Sequence, residues 1–243
     1  MASSPQNFSD VLNIVGEKPS AESSQNKTRN YSERLSKELA LWIREEIKNL
    51  FPSKTVLPPE GKVNTIYGTG HRGKSLDIGM LDDRGYLLLD ISIKTFNFKD
   101  RRTNNYRKNY TGRFYELLGE ELDLRRSYRH AVLVALVFLP EDSHFDSVPS
   151  SFALAVKQFS KIARQLNDPL AFGFDFVLVA THSSNGNLFF FDARQKPPKT
   201  GYPKEDLRMS LAEALQCFSR KLQENASLVQ QDSLPAHDDY DFT

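Results

Sequence analysis

The sequence predicts an α/β (α+β) fold in which a mixed central β-sheet is flanked by helices. Residues 130–140 (HAVLVALVFLP) and 174–182 (FDFVLVATH) are nearly continuous apolar runs with β-branched members, a pattern typical of strands buried on both faces. Amphipathic segments lie between these and other strand-like runs. The order is helix, three strands, helix, strand, helix, two strands and helix, which predicts one domain with helices on both sheet faces.

The helices are predicted from apolar residues that recur at spacings of three and four. The first lies within 30–51, with Ser32 as its expected N-cap, and Pro52 ends it. The same spacing predicts later helices at 113–128, 150–166 and 204–223.

The other strands are short runs of strand-forming residues bounded by turn residues. They are predicted at 62–70, 74–81, 85–96 and 186–193. The turn DDRG (82–85) joins 74–81 to 85–96 as a hairpin. We expect a flexible N-terminal segment over 1–29, a single domain over 30–224 and a flexible acidic tail over 225–243.

Composition limits the class of protein. Hydrophobic residues make up 39% of the 243 residues and include 17 phenylalanines, which is enough for a sizeable core. The net charge of +1 gives no overall basic character, so a nucleic-acid partner must be sought in local charge. Cys217 is the single cysteine, which excludes an internal disulfide and a thiolate-rich metal site. No apolar stretch approaches the roughly 18 residues of a membrane span, so we expect a cytoplasmic protein without membrane contact.

The predicted strand at 85–96 carries a row of polar residues. Side chains alternate along a strand, so Asp90, Ser92 and Lys94 share one face, opposite apolar residues. A lone ammonium among apolar neighbours is costly to bury, so Lys94 needs a nearby carboxylate, and Asp77 on the adjoining strand is a candidate. Such a group suits magnesium-assisted attack of water on a phosphodiester. The alternative is that these are ordinary positions on a solvated sheet edge.

An Asp on one strand, a turn and an acid-x-Lys motif on the next strand resemble the PD-(D/E)xK nuclease superfamily, which includes type II restriction endonucleases. The resemblance covers residues 31–140. It implies a restriction-endonuclease-like fold and Mg²⁺-dependent hydrolysis of DNA phosphodiester bonds. Asp77 is then the principal metal ligand, and Lys94 positions or activates the attacking water. Cleavage of both strands of double-stranded DNA implies a homodimer.

Two positions depart from the family pattern. Leu76 stands where the family often has proline, and Ser92 stands where it has an acid. Two replacements for the missing carboxylate remain open. One is Asp90, as a second metal ligand on the same strand face, and the other is Glu116 on the next helix, with Glu120 one turn later. Glu38 and Glu45 on the first helix are weaker candidates.

Basic residues follow the candidate strand closely and are interleaved with asparagines and tyrosines, a pattern suited to phosphate contacts and base edges. A second basic patch precedes strand 74–81, and a third, RQKPPKTGYPK, spans 194–204. Ordinary solvated loops are the competing interpretation. The DNA-binding candidates are His71, Arg72, Lys74, Lys99, Arg101, Arg102, Asn104, Asn105, Arg107, Lys108 and Arg113.

These observations lead to one expected function and one alternative. The expected function is that of a Mg²⁺-dependent DNA endonuclease of restriction-enzyme type, with RNA left open as a substrate. The alternative is a nucleic-acid-binding module that keeps the nuclease fold and has lost the metal site, which the serine at position 92 favours.

Overall fold

The computed structural model describes residues 5–20, 22–59, 65–69, 72–164 and 172–232, with only the backbone described at 65–69, 72–74 and 228–232. Five α-helices occur in these ranges: α1 (Phe8–Val15), α2 (Gln25–Leu50), α3 (Tyr110–Ser127), α4 (Ser151–Phe159) and α5 (Leu211–Asp232). Eight strands accompany them: β1 (Thr55–Leu57), β2 (Thr65–Thr69), β3 (Arg72–Leu76), β4 (Ile78–Leu81), β5 (Leu87–Thr95), β6 (Val132–Pro140), β7 (Phe176–His182) and β8 (Leu188–Asp192).

The predicted mixed sheet is confirmed. Six strands form one sheet in the order β1-β4-β5-β6-β7-β8, and β2 pairs with β3 in a separate two-stranded sheet. The strands β5, β6 and β7 are parallel to one another, whereas β1, β4 and β8 are antiparallel to their neighbours. The carboxyl ends of β5, β6 and β7 therefore lie along the same edge of the sheet.

Helices cover both faces of the sheet, as the sequence predicts. The helices α1, α2 and α5 pack on one face, against residues such as Leu89, Ile91 and Ile93 of β5. The helices α3 and α4 pack on the opposite face, against alternate residues of β6 such as Leu133 and Val137. Strand β6 is buried along its whole length, in accordance with its continuous apolar sequence.

The N-terminal segment differs from the flexible region expected over 1–29. Residues 8–15 form α1, with Asn7 as its N-cap, and Phe8, Val11 and Val15 of this helix are buried in the core. The helix α2 also begins earlier than predicted, at Gln25 with Ser24 as N-cap. Its first turns are polar, so their sequence carries no apolar periodicity to reveal the helix.

The segment predicted as one strand over 74–81 divides at Asp77. Before this residue β3 pairs with β2, and after it β4 pairs with β1 and β5, so the two halves belong to different sheets. Strand β1 was not predicted, because three residues are too short to show a period. The break places the Asp77 side chain at a junction between the two sheets.

The later helices are shifted relative to their predictions. The helix α4 ends at Phe159, and a 3-10 turn follows it at 160–162. The helix α5 begins at Leu211, after Ser210 and Glu213 exchange hydrogen bonds in a capping box. It continues to Asp232, so part of the expected flexible tail is helical, and 233–243 lie outside the described residues. Among the described helices, none is long and apolar enough to span a bilayer.

Candidate active site

The predicted polar row on β5 faces helix α3, and a glutamate of that helix joins it. The Ser92 hydroxyl donates to Glu120 Oε2 at 2.7 Å and lies 3.2 Å from Asp90 Oδ2. The Lys94 ammonium donates to Glu120 Oε1 at 2.9 Å. A continuous polar cluster thus joins the strand to the helix, and its members are Asp90, Ser92, Glu120 and Lys94.

The four residues of this polar cluster differ sharply in burial. Asp90 is fully buried and Ser92 is 2% exposed, whereas the Lys94 and Glu120 side chains are 11% and 24% exposed. Lys94 satisfies the expectation that an ammonium among apolar neighbours has a carboxylate partner. The closest carboxylate to Lys94 is that of Glu120, whereas the sequence had indicated Asp77 as its candidate partner.

Asp77 approaches the same strand from the junction of β3 and β4. Its Oδ2 accepts a hydrogen bond from the backbone N–H of Ile93 at 2.7 Å. Asp77 and Lys94 line the same cleft. The carboxylate of Asp77 is therefore fixed at the backbone of β5 between the two polar residues Ser92 and Lys94.

Glu116, the predicted alternative acid, lies at the margin of the cluster. Its Oε2 is 3.8 Å from Lys94 Nζ and 2.6 Å from Arg113 Nη1, and its side chain is 47% exposed. Glu120, one turn later, makes the closer contact with Lys94 and also reaches Ser92. Glu45, a weaker candidate on α2, pairs with Arg44 and Lys48.

The donor set can be tested against the needs of Mg²⁺. Over the described residues, no three acids, histidines or cysteines converge closely enough to enclose a metal ion. Mg²⁺ usually takes only one or two carboxylates and completes its shell with water and substrate phosphate oxygens. Asp90 and Glu120 both lie within hydrogen-bond reach of one hydroxyl, and Asp77 binds the next residue of the strand. These are hard oxygen donors of the kind that Mg²⁺ takes, and Asp77 and Glu120 are the partly exposed members of the set.

A cleft of about 1130 Å³ opens at the carboxyl end of β5. Its walls are the N-terminal half of α2, the end of β5 and the loop after it. Among the described residues, seven lysines and arginines line it, against four acids, so the cleft suits a polyanion. The basic residues are Arg29, Lys37, Lys94, Lys99, Arg101, Lys108 and Arg113, and the acids are Glu22, Glu33, Asp77 and Asp100.

The loop 96–109 carries most of the predicted DNA-binding residues and is held by its own hydrogen bonds. The Asp100 carboxylate accepts from the backbone N–H groups of Arg102 and Thr103, and the Thr103 bond is the main reason that the Asp100 pKa lies below its usual value. Asn105 is buried and its amide bonds to Thr103 and Arg107, so it shapes the loop and is not placed to read bases.

The other predicted DNA-binding residues have different environments. Arg102, Asn104 and Arg107 are exposed on the loop, and Asn104 has a positive φ of 49°. Lys99 pairs with Asp142 at 2.8 Å, and Lys108 lies 3.6 Å from Asp100. His71 and the side chains of Arg72 and Lys74 lie outside the described part of the structure.

Helix α2 and the segment before it contribute cleft residues that the sequence did not indicate. The Ser36 hydroxyl lies 3.1 Å from Thr95 Oγ1, and the Asn97 amide donates to Ser32 Oγ at 3.0 Å. The guanidinium of Arg101 donates to the Ser23 carbonyl at 2.9 Å. The small polar residues spaced four apart on α2 were the available signal, since they form a polar stripe beside the apolar one.

No match to this chain is found among protein-family models, curated proteins or solved structures. The function of the chain must therefore be inferred from the residues of the site itself.

Proposed function

We propose that the protein is a Mg²⁺-dependent DNA endonuclease of the PD-(D/E)xK type, acting as a homodimer on double-stranded DNA. The observation that carries this proposal is the position of Glu120. It brings a carboxylate from α3 to the hydroxyl of Ser92, the position at which this chain lacks the acid of the family motif, and it contacts Lys94 at the same time. The acid missing from the strand is thus supplied by the following helix.

Each residue of the cluster has a distinct proposed role. Asp77 and Glu120 would hold the metal, which when bound polarises a phosphoryl oxygen and acidifies a coordinated water. Lys94 lines the cleft and is placed to orient the attacking water or stabilise negative charge at the phosphate. Asp90 is fully buried behind Ser92, with its Oδ2 3.2 Å from the hydroxyl that donates to Glu120, and it has no proposed contact with the metal.

The basic walls of the cleft would hold the DNA backbone. Lys37 on α2 and Lys108 on the opposite loop face the cleft in which Lys94 lies. Cations on both sides of a groove draw in a polyanion and fix its phosphates. Base contacts would come from exposed residues of the loop, such as Arg102 and Asn104, because their side chains are not needed to hold the fold.

A second candidate function is a DNA-binding module without catalysis. It is favoured by the ion pair between Lys94 and Glu120, which in a metal-free protein would leave both side chains occupied with each other. The basic cleft would serve this function equally well.

Digestion of a large unmethylated DNA separates the two functions. The purified protein is incubated with Mg²⁺ or with EDTA, beside the variant Lys94→Ala. A nuclease gives discrete bands with the wild type in Mg²⁺ alone. Intact DNA in every lane, together with a retained gel shift, would reject the nuclease and support the binding module.

A further inference from the structure

The loop between β8 and α5 and the segment that follows β6 together present two aromatic rings to solvent on a rigid support. Tyr202 and Phe145 are 39% and 58% exposed, and their ring centroids lie 5.2 Å apart in an edge-to-face arrangement. Exposed aromatic pairs on an ordered surface often mark a binding site, because the protein would be more stable if these rings were buried in its core.

Hydrogen bonds fix this loop to the segment that follows β6. The backbone N–H of Gly201 donates to the His144 carbonyl at 2.9 Å, and the N–H of Ser150 donates to the Lys199 carbonyl at 2.8 Å. The Tyr202 hydroxyl donates to Glu141 Oε1 at 2.5 Å. The ring of Tyr202 is therefore held in place before any ligand arrives, which lowers the entropic cost of binding.

One cation contacts the rings directly. The guanidinium of Arg208 lies 5.2 Å from the ring centroid of Tyr202 and 5.2 Å from that of Phe189. The segment 194–208 has five basic residues against two acidic ones, and Lys196, Lys199 and Lys204 among them are exposed. Rings with a π-face and lysines able to contact phosphates are the two components of a single-strand binding surface.

This aromatic platform (Phe145, Phe189, Tyr202 and Arg208) is connected to the cleft. Asp142, in the same segment as Phe145, pairs with Lys99 and accepts a hydrogen bond from the Tyr106 hydroxyl at 2.7 Å. Lys99 and Tyr106 belong to the basic loop 96–109. The platform and the cleft thus lie along the shared edge formed by the carboxyl ends of β5 and β6.

We propose that the aromatic platform binds an unpaired nucleotide of a single-stranded DNA extension, whose duplex part lies in the cleft. The inference rests on the proposed function, since it assumes that the cleft holds DNA. The base stacks on the ring of Phe145, the more exposed of the two, which Tyr202 supports edge to face, and the exposed lysines contact the adjoining phosphates. The preferred DNA is therefore a duplex joined to a single strand.

Fluorescence anisotropy in EDTA tests this preference without cleavage. A blunt duplex is compared with the same duplex carrying a single-stranded extension of about six nucleotides, at either the 5′ or the 3′ end. We expect the extension at one end to tighten binding about tenfold, since stacking on an aromatic ring is typically worth that much or more per base. Tyr202→Ala and Phe145→Ala should each reduce this gain to threefold or less. A threefold gain corresponds to about half of the binding free energy of a tenfold gain.

Two controls separate stacking from folding. Tyr202→Phe keeps the ring and loses only the bond to Glu141, so it should keep most of the gain. Tyr86→Ala removes a 61% exposed ring in the turn before β5 and should keep the full gain. Equal binding of blunt and extended duplexes, or a full gain in both alanine variants, would overturn the inference. If blunt DNA is cleaved with Mg²⁺ but the extension gives no gain, the inference fails while the nuclease stands. If the extension tightens binding but no DNA is cleaved with Mg²⁺, the inference stands while the nuclease fails.

Discussion

Two neighbouring glutamates of α3 lie in opposite environments. Glu120 is partly exposed and contacts Lys94 and Ser92 at the edge of the cleft. Glu121 is fully buried, accepts a hydrogen bond from the backbone N–H of Gly173 at 2.7 Å and lies 3.8 Å from Arg125 Nε. Each side chain belongs to a different charged cluster. Glu120 belongs to the cleft cluster with Lys94 and Asp77, and Glu121 belongs to the buried cluster with Arg125 and Asp175.

The buried cluster has the characteristics of a structural one. Asp175 accepts from Arg125 Nη2 at 2.6 Å and from the backbone N–H of Leu133 at 2.9 Å, and its side chain is 2% exposed. Arg125 also donates to the Ala131 carbonyl at 2.7 Å. These groups contact one another and the backbone, away from solvent, so the cluster connects α3 to the ends of β6 and β7.

The cleft cluster differs because its charges lead to solvent. Lys94 and Asp77 both line the cleft, beside a wall of further cations. The contrast teaches that pairing alone does not distinguish a functional ion pair from a structural one. Access is the proposed difference, since the cleft cluster borders open volume in which a substrate and a metal would replace its internal contacts.

The largest expected effect is on catalysis. Asp77→Asn keeps an oxygen that can accept from the Ile93 N–H but removes the negative charge. We expect Mg²⁺-dependent cleavage to fall by about 10²- to 10⁴-fold, the range typical of a catalytic group. The measurement is the initial rate on a duplex containing one site. The control, Asp83→Asn in the exposed turn, should cleave at the wild-type rate, and an active Asp77→Asn protein would remove Asp77 from the site.

The second effect tests the buried cluster through stability. Asp175→Ala leaves the buried guanidinium of Arg125 without its closest carboxylate. Breaking a buried pair in this way typically costs about 3–5 kcal/mol, which urea unfolding would show as a lower midpoint. Glu33→Ala removes an exposed pair with Arg29 and should leave the midpoint unchanged. Equal midpoints for Asp175→Ala and wild type would show that the cluster is not structural.

A smaller effect concerns pH. Burial lowers the pKa of both His144 and His182 to about 4, below the unfolded value of about 6.5. Between these values the unfolded chain binds protons that the folded protein does not, so stability is complete above about pH 6.5 and is lost as the pH falls toward 4. The free energy of unfolding, measured with urea at several pH values in this window, should decrease by up to about 1.4 kcal/mol per pH unit for each histidine.

The variant His182→Phe isolates one of these contributions. Its ring can keep the contact with Phe8, whose centroid lies 5.4 Å away, but it cannot bind a proton. Its stability should therefore depend less steeply on pH than that of the wild type. Equal slopes for the two proteins would contradict the assigned role of His182.

The sheet could be predicted from sequence, whereas the site was predicted only in part. Continuous apolar runs indicated β6 and β7, and alternation placed Ser92 and Lys94 on one face, because both signals are local to a strand. The choice between Glu116 and Glu120 was not local. Both lie on the same side of α3, and the rotation of that helix depends on how Leu117 and Leu124 pack on the sheet.

The N-terminal helix α1 also could not be predicted from local sequence. Phe8, Val11 and Val15 have helical spacing, but eight residues are too few to form a stable helix alone in water. The helix α1 exists because it packs on α2 and β7, with Phe8 near Trp42 and His182. Such contacts join residues far apart in sequence, and periodicity within one segment does not reveal them.

The most direct test of the contrast is a pair of adjacent substitutions, Glu120→Gln and Glu121→Gln, each measured for Mg²⁺-dependent cleavage and for urea stability. We predict that Glu120→Gln loses about 10²-fold or more in cleavage rate at a near wild-type midpoint. Glu121→Gln should keep the cleavage rate under conditions where it is folded, with its free energy of unfolding lowered by about 1–3 kcal/mol. Full cleavage by Glu120→Gln, or loss of cleavage by a folded Glu121→Gln alone, would contradict the assignment of the active site to the cleft cluster.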